Sequence, residues 1–175
     1  MKSLFLAIAS VFVVGCASTY SVPIGAPFAT MMLDLRSESK NTTIQGYEVF
    51  AYQDINCAPS QLGLSIESKQ FTNAIEKLGP IRVAAESQMT FAILYGEARM
   101  AQNRQCSFTA SFVPRSGEKY SVQFAVDDGA LGCGMQIMDS SGQEIGFESP
   151  QESCAETFAG RVKNGGAGFL NWTIM

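Results

Sequence analysis

The sequence predicts an all-β fold, and three of its features lead to that prediction. Apolar and polar residues alternate with a period of two over many short stretches, as they do in strands with one buried face. Turn-forming residues separate these stretches, and only one stretch has helical spacing. Four of the five cysteines lie beyond residue 50, an even number that suits disulfides. We therefore expect an antiparallel, immunoglobulin-like β-sandwich with two disulfides.

The expected elements follow one another from residue 47. The first strand, residues 47–52, carries apolar side chains on both of its faces. Residues 71–78 have the helical spacing and predict one or two turns of helix, which Gly79 and Pro80 would end. The stretches predicted to form strands are residues 47–52, 61–67, 81–85, 89–95, 108–112, 120–126, 133–138, 144–147, 158–162 and 169–174.

Two hairpins are predicted in the second half of the chain. Residues 108–112 and 120–126 alternate strictly, and a Pro-Arg-Ser-Gly turn at residues 114–117 separates them. The final hairpin would pair residues 158–162 with residues 169–174 around a glycine-rich tip.

Strand parity suggests which cysteines form disulfides. Cys106 and Cys133 each share a strand face with apolar residues, so both thiols should point into the core. This favours a Cys106–Cys133 bridge and leaves Cys57 to pair with Cys154. The alternative, Cys57 with Cys106 and Cys133 with Cys154, stays open at this point. No two cysteines have C-x-x-C spacing, which argues against a redox or zinc site.

The first residues have the layout of a secretory signal peptide. Lys2 precedes an uncharged run over residues 3–14, which is too short to span a bilayer. The run ends in Val13-Val14-Gly15-Cys16, which resembles the lipobox of bacterial lipoproteins. The resemblance implies that Cys16 is acylated and begins the mature protein. The chain then divides into a signal peptide (residues 1–15), a lipidated tether (16–30) and a single sandwich domain (31–175).

The residues around the predicted cleavage site also bear on location and partners. In Gram-negative lipoproteins an Asp directly after the cysteine retains the protein in the inner membrane, whereas Ala17 follows here. The resemblance therefore implies the periplasmic face of the outer membrane, reached through the lipid on Cys16. Without Lys2, 11 of the 12 Lys and Arg residues remain against 16 Asp and Glu residues. This negative charge argues against a nucleic-acid partner.

A second resemblance covers roughly residues 80–139. Residues 112–120 follow the pattern F-x-P-x-x-G-x-x-Y, with Cys106 before them and Cys133 after them. The pattern is similar to that of a scattered group of small uncharacterised proteobacterial lipoproteins. The resemblance implies the sandwich fold and the Cys106–Cys133 pairing, and it implies no activity and no functional residues.

The composition excludes the most common catalytic groups. The chain has no histidine, which excludes Ser-His and Cys-His nucleophile pairs and histidine metal ligands. Carboxylates are the remaining candidates for catalysis. We interpret Asp127 and Asp128 as a solvated turn, because adjacent strand residues point to opposite faces. The other acidic candidates are Glu144, Glu148 and Glu152.

Two loops have a weak likeness to ligand sites. Residues 139–144 offer oxygen atoms around Gly142 but lack the ligand pattern of an EF-hand, so we predict a hairpin turn there. Residues 164–168 are rich in glycine but lack the Lys-Ser/Thr of a phosphate loop, so we predict a flexible tip. The sequence therefore predicts no metal and no cofactor.

Aromatic residues give the one indication of a binding surface. Tyr47, Phe50, Tyr52 and Trp172 could bind a sugar or a peptide, although core packing is the default interpretation for them. Because the strand 47–52 has two apolar faces, something should cover the second one. We expect a non-enzymatic binding or structural module of the cell envelope, with an envelope protein or a glycan as partner. The alternatives are a periplasmic inhibitor of a hydrolase such as lysozyme and, last, a carboxylate-dependent glycan hydrolase.

Overall fold

The computed structural model describes residues 19–40, 42, 44–57, 63–71, 74–99 and 102–171. Within these residues it contains β-strands and no helix, so the all-β prediction is confirmed. The strands are β1 (Phe28–Ser37), β2 (Ile44–Tyr52), β3 (Leu64–Phe71), β4 (Ile75–Ala84), β5 (Met89–Ala98), β6 (Gln102–Phe112), β7 (Lys119–Val126), β8 (Cys133–Met138) and β9 (Ala167–Asn171).

The strands form two sheets that pack face to face. The four-stranded sheet has the order β4-β1-β7-β8, and the five-stranded sheet has the order β3-β2-β5-β6-β9. All neighbouring strands are antiparallel except β1 and β7, which run parallel. The predicted sandwich is therefore confirmed. Its strand order differs from the ABED and CFG sheets of an immunoglobulin constant domain, so the likeness lies in the layering.

The core forms from the inward-facing residues of both sheets. In β1 the buried positions alternate with outer ones, as a strand with one solvated face requires. In β5, by contrast, residues 89–95 are buried without interruption. Strand β5 lies in the middle of the five-stranded sheet, and its outer face is covered by a later segment of the chain.

The helix predicted for residues 71–78 is wrong. Strand β3 ends at Phe71 in one sheet, and β4 begins at Ile75 in the other. Phe71 and Leu78 are both buried because each is an inward-facing residue of its own strand. Their sequence spacing therefore imitates one helical face, and Gly79 and Pro80 lie inside β4.

The predicted hairpin of residues 108–112 and 120–126 is also wrong in its pairing. Both stretches are strands, but β6 belongs to the five-stranded sheet and β7 to the four-stranded one. Residues 113–118 cross from one sheet to the other. Alternation identifies a strand with one buried face, and it is the same for a hairpin and for two strands in opposite sheets.

The C-terminal part of the chain is less regular than predicted. Residues 139–166 form isolated bridges, so the strands predicted at residues 144–147 and 158–162 are wrong. We call residues 148–166 the cover segment. Strand β9 follows it and pairs with β6. The predicted strand end at residues 172–174 lies outside the described residues.

The N-terminal part of the described chain packs on the sandwich. Thr19 bridges to Ser65, and the Tyr20 backbone N–H donates to the Ser65 carbonyl at 2.9 Å. The Tyr20 hydroxyl accepts a hydrogen bond from the Ala84 N–H at 2.8 Å. Residues 19–30 of the predicted tether are thus part of the sandwich, which begins before residue 31. The predicted signal peptide and Cys16 lie outside the described residues. In the part that is described, no helix is long and apolar enough to cross a membrane.

Two disulfides join distant parts of the chain. Cys106 in β6 and Cys133 in β8 connect the two sheets, with their Cα atoms 6.1 Å apart. Cys57, after β2, is bonded to Cys154 in the cover segment, with a Cα separation of 5.3 Å. These are the pairs that strand parity favoured.

Candidate functional site

The outer face of the five-stranded sheet is divided into two halves. In the covered half, Phe50, Tyr52 and Ala92 lie beneath the cover segment together with the Cys57–Cys154 disulfide. In the open half, a groove of about 260 Å³ runs over the same strands. Each of β2, β5 and β6 runs through both halves, so the boundary between the covered half and the open half lies across these strands.

Buried hydroxyl groups hold the cover segment on β6. The Ser153 and Thr109 hydroxyl oxygens lie 2.9 Å apart, and the Cys154 N–H donates to the Thr109 hydroxyl at 2.8 Å. Asn164 adds a backbone-like pair of bonds, because its Oδ1 accepts from the Thr109 N–H at 2.7 Å and its Nδ2 donates to the Thr109 carbonyl at 3.0 Å. The Arg161 guanidinium donates to the Cys57 carbonyl. Asn164 therefore holds the glycine-rich stretch on the sheet. This differs from the flexible tip that was predicted for residues 164–168.

The cover segment accounts for the second apolar face of the strand predicted at residues 47–52. Tyr47 faces the core and packs on Phe71, with ring centroids 5.3 Å apart. Phe50 and Tyr52 face outward and lie against the covered cluster. Burial raises the pKa of Tyr52 to about 12, because it disfavours the phenolate. These three residues do not form an open aromatic surface, and Trp172 lies outside the described residues.

A row of five residues in register crosses the outer face, running through the open half and ending beneath the cover segment at Gly168. Gln70, Gly46, Gly96, Gln105 and Gly168 lie opposite one another on β3, β2, β5, β6 and β9. Cross-strand partners share a face of the sheet, so all five belong to the outer face. The adjacent pair Gly46 and Gly96 leaves the middle of the row without side chains, and this is the floor of the groove.

The glycines of this row differ in what surrounds them. A Cβ atom added at Gly96 would meet Gln105 Cγ at 3.7 Å, an ordinary van der Waals contact. A Cβ atom at Gly168 would overlap the Thr157 hydroxyl of the cover segment. Packing within the chain therefore requires glycine at residue 168 and does not require it at residue 96. The chain therefore leaves the space above Gly96 open, and this space is part of the groove.

Polar and apolar groups line the groove around this floor. Gln105 Oε1 accepts a hydrogen bond from the Phe158 N–H at 2.6 Å, and Gln105 Nε2 lies 3.8 Å from the position that a Cβ atom at Gly96 would occupy. Phe158 is 55% exposed at the tip of a turn, which the paired backbone bonds between Thr157 and Gly160 close at 2.9 Å each. The further lining residues include Ile44, Glu48, Ser68, Lys69, Gln70, Leu94 and Asn103.

A buried polar network lies on the inner side of the same strands. The Tyr95 hydroxyl lies 3.0 Å from Gln45 Oε1, from Glu97 Oε2 and from Ser37 Oγ. Glu97 Oε1 is paired with Arg99 Nε at 2.6 Å. Burial raises the pKa of Tyr95 above its ordinary value. The network joins β1, β2 and β5 beneath the groove and fixes the backbone that carries Gly96.

The acidic residues considered as catalytic candidates belong to turns and loops. Asp127 Oδ1 accepts from the Gly132 N–H at 2.7 Å, and Asp128 Oδ1 accepts from the Lys40 N–H at 3.3 Å. Asp139 Oδ1 accepts from the Ser141 N–H at 2.9 Å, and the Ser141 hydroxyl lowers the Asp139 pKa. Glu144 is exposed in the loop after β8, and Glu148 and Glu152 are exposed in the cover segment. Among the described residues, no three His, Cys, Asp or Glu side chains are grouped so as to hold a metal ion.

The comparisons with known proteins do not assign this site. No protein-family profile, no curated protein and no solved structure matches the chain. The groove was also not predicted from the sequence. Gly46 and Gly96 stand just outside predicted strands, and only the strand register brings them together.

Proposed function

We propose that the chain is a non-enzymatic, lipid-anchored binding module of the cell envelope, and that its groove binds a neutral oligosaccharide. The observation that carries the ligand site is the row Gln70, Gly46, Gly96 and Gln105, with its bare floor between two amide side chains. The absence of histidine from the sequence is consistent with a binding role.

The lining of the groove has the chemistry that a sugar ring requires. Sugar hydroxyl groups both donate and accept hydrogen bonds, and so do the amide groups of Gln70, Gln105 and Asn103. The apolar C–H face of a sugar packs on an exposed aromatic ring, and Phe158 presents one at the edge of the groove. A flat floor without side chains lets the ring approach the sheet.

The size of the groove sets the expected affinity. A volume of about 260 Å³ has room for one sugar residue, with the rest of an oligosaccharide extending into solvent. At about −0.3 kcal/mol per non-hydrogen atom, a sugar of about 15 such atoms binds with a Kd on the order of 1 mM. Anchoring on a surface that also holds the glycan would raise the effective concentration of both partners.

Titration calorimetry with tetra-N-acetylglucosamine and with maltotetraose tests the groove. We expect the unaltered chain to bind at least one of them and Gly96→Val to lose binding, since valine fills the floor. Gly134→Val is the matched control: Gly134 lies on β8 in the other sheet, and a Cβ there meets nothing within 4 Å. If neither sugar binds, or if Gly96→Val binds as tightly as Gly134→Val does, the oligosaccharide site is wrong.

The lipid anchor has a separate test. In bacteria supplied with labelled palmitate, the unaltered chain should carry label and Cys16→Ser should not. The matched control is Cys57→Ser, which removes a cysteine that the structure places in a disulfide. Labelling of Cys16→Ser at the level of the unaltered chain would show that the anchor is elsewhere.

A further inference from the structure

We infer that the sandwich rests on the membrane through one of its ends, with Ile24 and Val113 in contact with the lipid headgroup region. The end is the one that carries the turn at residues 23–26, the loop at 85–88 and the crossing segment 113–118. The inference rests on the lipid anchor in the proposed function, and it concerns a different surface from the groove.

The first argument is the length of chain between the anchor and the fold. Thr19 is bridged to Ser65 at the start of β3, and Tyr20 is bonded to both sheets. Only three residue steps separate Cys16 from Thr19. Three extended residues span at most about 11 Å, so an acylated Cys16 would hold Thr19 close to the headgroup region. A long flexible tether is therefore not available to lift the sandwich away.

The second argument is the position of the exposed apolar side chains. Ile24 is fully exposed at the tip of its turn, which is closed by a bond from the Ala26 N–H to the Pro23 carbonyl at 3.1 Å. Val113 is 57% exposed. The loop at 85–88 joins the two regions, because the Ala85 N–H donates to Pro27 and the Glu86 N–H donates to Pro114.

A single exposed apolar residue needs no explanation on a protein surface. Here two of them share one end with the point where the chain leaves toward the anchor. Because the lipid already holds the domain at the membrane, even a weak contact is populated through the high effective concentration. The charged side chains of this end have mixed signs, so the contact should depend little on salt. They include Glu86, Arg115, Glu118 and Lys119, and also Asp139 and Glu144 in the loop after β8.

This orientation places the groove on the aqueous side. Gly46 stands six residues from Tyr52 on β2, and Tyr52 lies at the end of the sandwich that would face the membrane. At about 3.3 Å per residue, the groove is held about 20 Å from that end. The glycan site would then be open to ligands beyond the headgroups.

Fluorescence quenching of the lipidated full-length protein tests the inference. The protein is placed in phosphatidylethanolamine and phosphatidylglycerol vesicles whose acyl chains carry bromine near the headgroup. Trp172, the single tryptophan of the chain, is replaced by Phe so that one introduced tryptophan is the reporter. The reporters are Ile24→Trp, Val113→Trp and, as control, Ile75→Trp, which is 56% exposed at the opposite end on β4.

We expect at least threefold stronger quenching for Ile24→Trp and Val113→Trp than for Ile75→Trp. If the protein floats with the vesicles and the three reporters are quenched equally, the inferred orientation is wrong and the anchor stands. If the protein carries no lipid and does not float, the anchor and the orientation both fail. Should Trp172→Phe not fold, the same comparison is made by subtracting the signal of the unaltered chain.

Discussion

The covered and open halves of the outer face lie on the same strands and differ in whether their side chains contact another segment of the chain. In the covered half, Tyr52 and Thr109 find their partners within the chain, in the cover segment. In the open half, Gly46 and Gly96 leave a bare floor, and the Nε2 group of Gln105 lies beside it. The covered half is therefore packed by the chain itself, whereas the open half has free space next to the sheet.

The largest effect should come from releasing the cover segment. Replacing Cys57 and Cys154 together by serine removes a bridge that spans 97 residues, and loop entropy then predicts a loss of about 4 to 5 kcal/mol in the free energy of unfolding. Sugar binding should weaken as well, because Phe158 is carried by the same segment. Urea unfolding measures the first effect and calorimetry the second. A loss below about 1 kcal/mol would mean that the segment does not depend on the disulfide.

The next largest effect on stability should come from replacing glycine by alanine at two positions of the same row and comparing the results. Gly168→Ala should cost about 1 to 3 kcal/mol, because the new Cβ displaces Thr157. Gly96→Ala should leave stability unchanged or raise it by up to about 1 kcal/mol, because the Cβ meets only an ordinary contact and the unfolded chain loses freedom. Thermal unfolding of the two variants measures the difference. Equal costs would contradict the division of the face into two halves.

The buried hydroxyl groups of the covered half should contribute less individually. Thr109→Val keeps the shape of the side chain and leaves the Cys154 N–H without its acceptor, at a cost of about 1 to 2 kcal/mol. Thr30→Val on the outer face of the other sheet is the control and should change stability by less than about 0.5 kcal/mol. Chemical unfolding of both variants decides whether the hydroxyl bonds hold the cover segment.

The smallest effect concerns the titration of Tyr52. Its pKa is raised from 10.0 to about 12, mainly by burial. The folded state therefore favours the neutral phenol, so this contribution to stability is full below pH 10 and is lost as the pH rises from 10 toward 12. In the variant without Cys57 and Cys154, the pKa should return toward 10.0. An NMR titration that finds the same Tyr52 pKa in both proteins would show that the cover segment does not bury it.

Much of the fold could be predicted from local alternation. The strand at residues 47–52 showed two apolar faces, and this correctly required a cover. Pairing was harder to predict, because it depends on contacts between residues far apart in sequence. The strict alternation of residues 108–112 and 120–126 is satisfied equally well by strands in opposite sheets, and the structure has the latter. Residues 71–78 fit a helix because two inward-facing strand residues happened to have helical spacing.

The candidate site could not be predicted by the same means. Gly46 and Gly96 are 50 positions apart in the sequence, and nothing local distinguishes them from turn glycines. Only the register of β2 on β5 places these two glycines side by side and so forms the floor of the groove. Among the aromatic residues chosen from the sequence, Tyr47 is buried and Phe50 and Tyr52 are partly buried for the same reason, since register and parity assign Tyr47 to the core and the other two to the covered half.

The most direct test of the divided face is an NMR titration of the isotope-labelled protein with tetra-N-acetylglucosamine. We predict saturable shifts of the backbone amides of Gly46, Gly96 and Phe158, little change at Phe50 and Thr109, and no saturable shifts in Gly96→Val. Shifts centred on the covered half, or shifts of the same size in Gly96→Val, would contradict the assignment of the open half as the ligand site.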